Sequence, residues 1–107
     1  MTEQQAERVQ IAKTILEQLG GNRFKAMTGA NRFVALESGL HFRIPGGGFT
    51  KNGINSVTII LDWSDTYTVR FERVRGIKST QINELSLVYD DQLQGLFEEE
   101  TGLRTSL

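Results

Sequence analysis

The sequence of 107 residues contains no cysteine and only one histidine. Without cysteine the chain forms no disulfide, has no thiolate nucleophile and offers no Cys-based zinc or iron–sulfur site, a composition that fits a reducing cytosol. A Ser-His-Asp triad would have to be built around His41, and no nucleophile-elbow motif lies near this residue. We therefore interpret His41 as a strand surface residue and expect a binding protein, not an enzyme.

Motifs that hold nucleotides, cofactors or metal ions are also missing. The glycine run at 46–48 is followed neither by a Lys-Ser/Thr pair nor by a helix pattern, so it is not a phosphate-binding loop. Carboxylates are adjacent at positions 90–91 and 98–100, but neighbouring residues of a helix point in different directions. We interpret these carboxylates as a solvated face and predict no cofactor, no metal site and no catalytic residues.

Long apolar runs are absent as well, and the net charge is only −1. The N-terminal segment carries Glu3, Glu7 and Glu17 within its apolar periodicity, so it lacks the continuous apolar stretch of a signal peptide. The length lies within the usual size of one domain. We expect a single soluble domain, residues 1–107, that is cytoplasmic and makes no membrane contact.

The clearest element that is present is a helix over residues 3–19. Apolar residues recur there at spacings of three and four, which is the pattern of a helix with one buried face. They are Val9, Ala12, Leu16 and Leu19, with Ile11 and Ile15 beside them. Thr2 and Gln5 predict a capping box at the start of the helix, and Gly20-Gly21 predict its end.

From Arg23 to about Arg75 the period changes to two, with Gly, Asn and Ser at short intervals, which is typical of antiparallel strands joined by tight turns. The predicted strands cover residues 24–27, 32–37, 40–44, 57–61 and 67–72, with hairpin turns at 37–39 and 63–65. By alternation, Phe42, Tyr67 and Phe71 face the helices. The stretch 45–48 suits a mobile loop or a close backbone approach to a ligand.

Residues 85–100 return to helical spacing, and Gly102 ends this second predicted helix. Gly95 lies inside it, weakens it by about 1 kcal/mol relative to Ala and indicates close packing on the sheet. The predicted fold class is therefore α+β, with an N-terminal helix, an antiparallel sheet of about four to five strands and a C-terminal helix packed on the sheet.

Charge is distributed unevenly along this nearly neutral chain. Residues 22–80 hold nine basic and four acidic groups, whereas residues 81–107 hold one basic and six acidic groups. The basic residues alternate with aromatic ones, and sheets that bind single strands use cations for phosphates and aromatic faces for bases. The predicted nucleic-acid-binding residues are Arg43, Phe49, Lys51, Trp63, Arg70 and Arg73, with Phe49 and Trp63 as the stacking candidates because both lie in or beside turns.

Three stretches carry a resemblance to a family of short uncharacterised proteins encoded by bacteriophages and mobile elements. They are ILEQLGGNRFKAMTGANRFV at 15–34, NGINSVTIILDWSDTYTVRFERVRG at 52–76 and YDDQLQGLFEEETGLRTSL at 89–107. The resemblance covers most of the chain and implies a phage or prophage context, in which small accessory proteins act on nucleic acid or block host defence. The strand-rich body followed by a helix is also similar to Whirly and transcriptional-coactivator single-strand binders, although the N-terminal helix departs from the minimal coactivator fold.

Two alternatives to nucleic-acid binding stay open. In one, the basic strands pair with the acidic helix within the fold, and the charge pattern has no further meaning. In the other, the protein is an anti-defence inhibitor whose acidic helix occupies the phosphate-binding groove of a host nuclease or CRISPR-type complex. The residues of that surface are Asp90, Asp91, Glu98, Glu99 and Glu100. The predicted partners are thus single-stranded nucleic acid or a host defence protein in the host cytoplasm, and exposed edge strands add a homodimer formed by strand pairing.

Overall fold

The computed structural model describes residues 2–105. Three helices and five strands follow one another along the chain. The helices are α1 (Glu3–Leu19), α2 (Gly21–Thr28) and α3 (Leu93–Thr101), and the strands are β1 (Asn31–Leu36), β2 (Gly39–Arg43), β3 (Ser56–Leu61), β4 (Tyr67–Arg75) and β5 (Lys78–Val88). Short 3₁₀ turns cover Gly47–Phe49, Lys51–Gly53 and Asp90–Gln92. The α+β fold class predicted from the sequence is confirmed, with five strands in the sheet.

The N-terminal helix begins and ends where the sequence predicts. Gln5 N donates to Thr2 Oγ1 at 3.2 Å and Thr2 N donates to Gln5 Oε1 at 3.0 Å, which is the predicted capping box. At the other end Gly20 and Gly21 both have positive φ, a conformation that glycine adopts without a Cβ clash.

The sheet is an antiparallel meander in which every strand pairs with its neighbour in sequence, in the order β1-β2-β3-β4-β5. Within residues 2–105, β1 and β5 are the edge strands, each paired on one side only. The helices cover one face, and the side chains buried beneath them include Phe42, Val57, Tyr67, Val69 and Phe71. The inward orientation predicted for Phe42, Tyr67 and Phe71 is confirmed. The opposite face, here called the open face, carries polar residues.

An aromatic cluster joins the helices to the middle of the sheet. The ring of Phe24 from α2 lies 5.5 Å from that of Phe42 in β2 and 5.0 Å from that of Phe97 in α3. The ring of Phe33 from β1 lies 5.5 Å from the ring of Phe42. Edge-to-face and tilted aromatic pairs at these distances stabilise a core beyond their burial alone.

The strand predicted at residues 24–27 is wrong, because these residues lie in α2. The two buried residues of this short helix, Phe24 and Thr28, are four positions apart, and Gly29 ends it in the left-handed conformation. An eight-residue helix with a single large apolar residue on its buried side offers almost no period to detect.

The helix predicted at residues 85–100 is wrong in its first half, which belongs to β5. The strand carries two bulges, so the β5 residues that oppose the inward-facing side chains of β4 are Asn83, Leu85 and Val88. An inserted residue turns a spacing of two into a spacing of three, which imitates helical periodicity. Only α3 is helical, and Gly102 ends it with φ +79° as predicted. The predicted close packing of Gly95 is also wrong, because a Cβ there would meet no neighbouring atom within 4 Å.

Gly39 provides a direct test of the register between β2 and β3. It is buried opposite Ile60, and a Cβ at this position would clash with the backbone carbonyl oxygen of Ile59. We expect Gly39→Ala to lower the free energy of unfolding by about 1–3 kcal/mol, since overpacking against backbone shifts a strand. Gly48→Ala is the matched control, because a Cβ there meets open space, and we expect it to stay within about 0.5 kcal/mol of wild type. Equal urea-denaturation curves for the two variants would contradict this register.

Candidate nucleic-acid interface

A two-stranded ribbon extends beyond the body of the sheet, and we call residues 73–80 the arm. The register of β3 against β4 begins at the pair Ser56–Glu72, so Arg73–Arg75 continue past the start of β3 and pair only with β5. Gly76 has φ +59° whereas Ile77 has negative φ, which matches the type II′ turn that suits the twist of a hairpin. Ile77 is fully exposed at the tip.

The arm carries three cations and no acidic residue. Arg75 lies directly opposite Lys78, and Arg73 lies opposite Thr80. Because side chains alternate along a strand, Arg73, Arg75 and Lys78 share one face of the arm. Like charges directly opposite each other destabilise a hairpin. An anion bound on this face would relieve that repulsion.

These cations have no compensating partner in the described part of the chain. No hydrogen bond or ion pair within residues 2–105 involves the side chain of Arg73, Arg75 or Lys78, and the single ion pair there joins Arg70 to Glu84. The aliphatic part of Arg73 packs close to Gly53. The guanidinium and ammonium groups of the arm are therefore available to a ligand.

The arm is held in place at its base by the side chain of Asn55, which precedes β3. Asn55 Nδ2 donates to the Val74 carbonyl oxygen at 2.9 Å, and Asn55 Oδ1 accepts from Val74 N at 2.8 Å. The side-chain amide thus makes the two hydrogen bonds that the backbone of a neighbouring strand would otherwise make. This pairing fixes the direction in which the arm leaves the sheet.

The structure distributes the six predicted site residues over three places. Arg73, Lys51 and Phe49 lie at the end of the sheet where the arm begins, since the β2–β3 loop and the β4–β5 turn lie at the same end. Arg43 and Arg70 lie on the open face. Trp63 lies in the β3–β4 turn at the opposite end.

Three of the predicted cations are engaged within the fold. Lys51 Nζ donates to the Glu99 carbonyl oxygen at 2.8 Å, where a positive charge stabilises the C-terminal end of α3. Arg43 Nε donates to the Asn55 carbonyl oxygen at 3.1 Å, and Arg70 lies 3.7 Å from Glu84. These residues contribute less free positive charge than the arm does.

The two stacking candidates are both exposed but far apart. Phe49 is 77% exposed and Trp63 is 98% exposed. β3, which separates their loops, has six residues, so its ends lie roughly 17 Å apart at about 3.3 Å per residue. Phe49 and Trp63 therefore do not stack on adjacent bases, and only Phe49 lies at the same end as the arm.

The open face is polar but close to neutral. One row across the sheet consists of Val34, His41, Thr58, Arg70 and Glu84, each paired with the next in register. Within residues 2–105 no aromatic side chain lies on this face, because the strand aromatics point into the core. These strands therefore do not form a sheet surface on which bases can stack.

His41 lies half-buried on the open face and is bonded to Ser56, with 2.8 Å between Nε2 and Oγ. Burial lowers the pKa of His41, the Arg43 guanidinium lowers it further, and the Glu72 carboxylate partly opposes both effects. The imidazole is therefore neutral at pH 7 and adds no positive charge for a phosphate to meet. Ser56 is buried, so this pair does not present a nucleophile to solvent.

The acidic residues predicted to form one helical surface are divided between two elements. Asp90 and Asp91 lie on the 3₁₀ turn before α3, while the other three lie on α3. Glu98 accepts from Thr105 N at 2.9 Å, and Glu100 accepts from Asn83 Nδ2 at 2.7 Å. No carboxylate of α3 pairs with a strand cation among the described residues, so the charge pattern is not explained by pairing within the fold.

Arg75 and Lys78 are part of the candidate interface but not of the set predicted from the sequence. Their position becomes evident only when β5 is recognised as a strand, because the arm is the β4–β5 hairpin. The sequence signal is Arg75-Gly76-Ile77-Lys78, a two-residue loop with glycine in first position. The bulges of β5 conceal this signal, because they remove the alternation that would identify β5 as the second strand of the hairpin.

Comparison with known proteins yields no match, whether with protein-family models, with curated proteins or with solved structures. The resemblance to short phage and mobile-element proteins therefore stays a prediction. In the described part of the chain no group of three His, Asp or Glu side chains is arranged to hold a metal ion. None of the described helices is long and apolar enough to cross a membrane.

Proposed function

We propose that this protein binds single-stranded nucleic acid without sequence preference, with the arm as its main phosphate-contacting surface. The observation that carries the proposal is the uncompensated charge of Arg73, Arg75 and Lys78 on one face of a two-stranded ribbon. Cations that neutralise phosphates release condensed counterions, and this release drives binding that is independent of sequence.

Phe49 supplies the stacking surface in this proposal. Phe49 lines a cavity together with Pro45 and Leu103, while most of its side chain stays exposed. An exposed aromatic ring at the same end of the sheet as the cations can stack on a base, and every base has a face for such stacking. The combination favours a flexible single strand over a duplex, whose bases are already stacked.

Arg43 and Arg70 have a secondary role. Both lie on the open face with partners inside the fold, Arg43 with the Asn55 carbonyl and Arg70 with Glu84. By strand alternation they lie on the face opposite that of Arg73 and Arg75, so they contribute only by long-range attraction, which adds to the salt dependence. In this proposal the protein is a small accessory protein of a phage or mobile element that binds its ligand and catalyses no reaction.

Reversing charge on the arm should weaken binding selectively. We expect Arg75→Glu/Lys78→Glu to reduce affinity for a fluorescein-labelled oligothymidine by about tenfold or more, and to lower the slope of log affinity against log salt by about 1.4, because each lost phosphate contact removes about 0.7 for single strands. Both residues are exposed, so the fold should be unaffected. Fluorescence anisotropy between about 50 and 200 mM salt measures both quantities.

The matched control for the arm is Arg8→Glu/Arg23→Glu, which changes two exposed helix residues and alters the net charge by the same amount. This variant should lose little affinity. Equal losses for the two double variants would show that only the net charge matters, and wild-type affinity in the arm variant would exclude the arm.

The two exposed aromatic residues give a second prediction. We expect Phe49→Ala to weaken binding of the oligothymidine by about 1–3 kcal/mol, the usual contribution of one stacked base. Trp63→Ala removes a larger and more exposed ring at the other end of β3 and should leave the affinity unchanged. The reverse order of effects in the same anisotropy titration would place the bound strand at the β3–β4 turn.

A further inference from the structure

A groove of about 500 Å³ lies between the edge strand β5 and α3, away from the arm. We call it the β5–α3 groove. Its lining is mixed: Leu85, Leu87 and Val88 contribute apolar side chains from the strand and Leu96 one from the helix, with polar groups between them. Leu87 is 68% exposed and Tyr89, just beyond the strand, is 57% exposed. Neighbouring exposed apolar residues beside a groove mark an interaction surface.

On its outer side β5 pairs with no other strand in the described part of the chain, although the Glu84 N–H donates to Asn83 Oδ1 at 2.9 Å. Edge strands present a row of free N–H and C=O groups to any extended segment that approaches them. A peptide added to β5 would gain these hydrogen bonds and would place alternate side chains over the groove.

Leu87 has φ +57°, a left-handed conformation that residues other than glycine rarely adopt. It lies at a bulge of β5, between Ser86 on the open face and the buried Val88, and so leaves the normal alternation of the strand. In the described structure no packing compensates this strain, because most of the Leu87 side chain is in solvent. Strain kept at an exposed position points to a function of that position.

Gly95 keeps the groove open from the helix side. It lies in the interior of α3, where alanine is favoured over glycine, and a Cβ there would meet no neighbouring atom within 4 Å. Neither a turn nor close packing requires glycine here. A side chain at this position would fill the groove.

Charge identifies the kind of segment that fits. Glu99 lines the groove, and Asp90 and Asp91 are exposed on the turn between β5 and α3. We propose that the β5–α3 groove binds an extended segment of a partner protein that carries aliphatic residues at alternate positions and Lys or Arg beside them, added to β5 as a sixth strand.

The proposal is tested with a displayed library of random peptides selected on the full chain, with counter-selection on Gly95→Leu. Peptides that survive should be rich in aliphatic residues and positively charged, and should lose about tenfold or more affinity for Gly95→Leu and for Asp91→Asn/Glu99→Gln. Methylation of alternate backbone amides in such a peptide should abolish binding, because strand addition needs those N–H groups.

Ala26→Leu is the control, since it adds the same side chain at an exposed helix position outside the groove. Thermal unfolding of Gly95→Leu should show a melting temperature no lower than that of wild type. Its affinity for oligothymidine should be unchanged, so this test is independent of the proposed nucleic-acid binding. Peptides that bind wild type and Gly95→Leu equally, or a library that yields no binder, would overturn it. Dimerisation of wild type that Gly95→Leu abolishes would assign the groove to a second copy.

Discussion

The packing of Phe24, Phe42 and Phe97 against one another is the interaction on which the rest of the structure depends. All three side chains are almost completely buried, and they come from α2, β2 and α3. Because the aromatic side chains of the inner strands all point to the face that carries this cluster, all three helices pack on that face of the sheet. The other face is left to polar residues, and the surfaces able to bind a partner lie at the ends and edges of the sheet.

The strand β5 links both candidate surfaces. Its first residues form the arm with β4, and its last residues form one wall of the β5–α3 groove. The arm is basic, whereas the groove combines apolar side chains with the carboxylate of Glu99, so a chain with a net charge of −1 has two surfaces of different character. Under the two proposals, one surface binds a polyanion and the other binds a basic segment of a protein.

The sequence predicts α1, β2 to β4 and the inward aromatics because each has an undisturbed period of two or of three and four, and it predicts β1, which carries a bulge, from the hairpin turn at 37–39. It does not predict β5, since two bulges convert strand alternation into helical spacing, nor α2, which buries too few apolar residues to show a period. The candidate site is predictable in its charge but not in its position. Composition shows that residues 22–80 are basic, whereas tertiary pairing decides that Lys51 and Arg70 are engaged and that Arg75 and Lys78 are free.

The most direct test of the central claim is a nuclear magnetic resonance titration of the ¹⁵N-labelled chain with a short oligothymidine at low salt. If the arm binds the strand, the backbone amides that shift first belong to residues 73–80 and to the loop around Phe49, while those of Trp63 and of the β5–α3 groove stay in place. Shifts centred on Trp63, on the open face or on α3 would contradict the account, as would a spectrum that the oligonucleotide leaves unchanged.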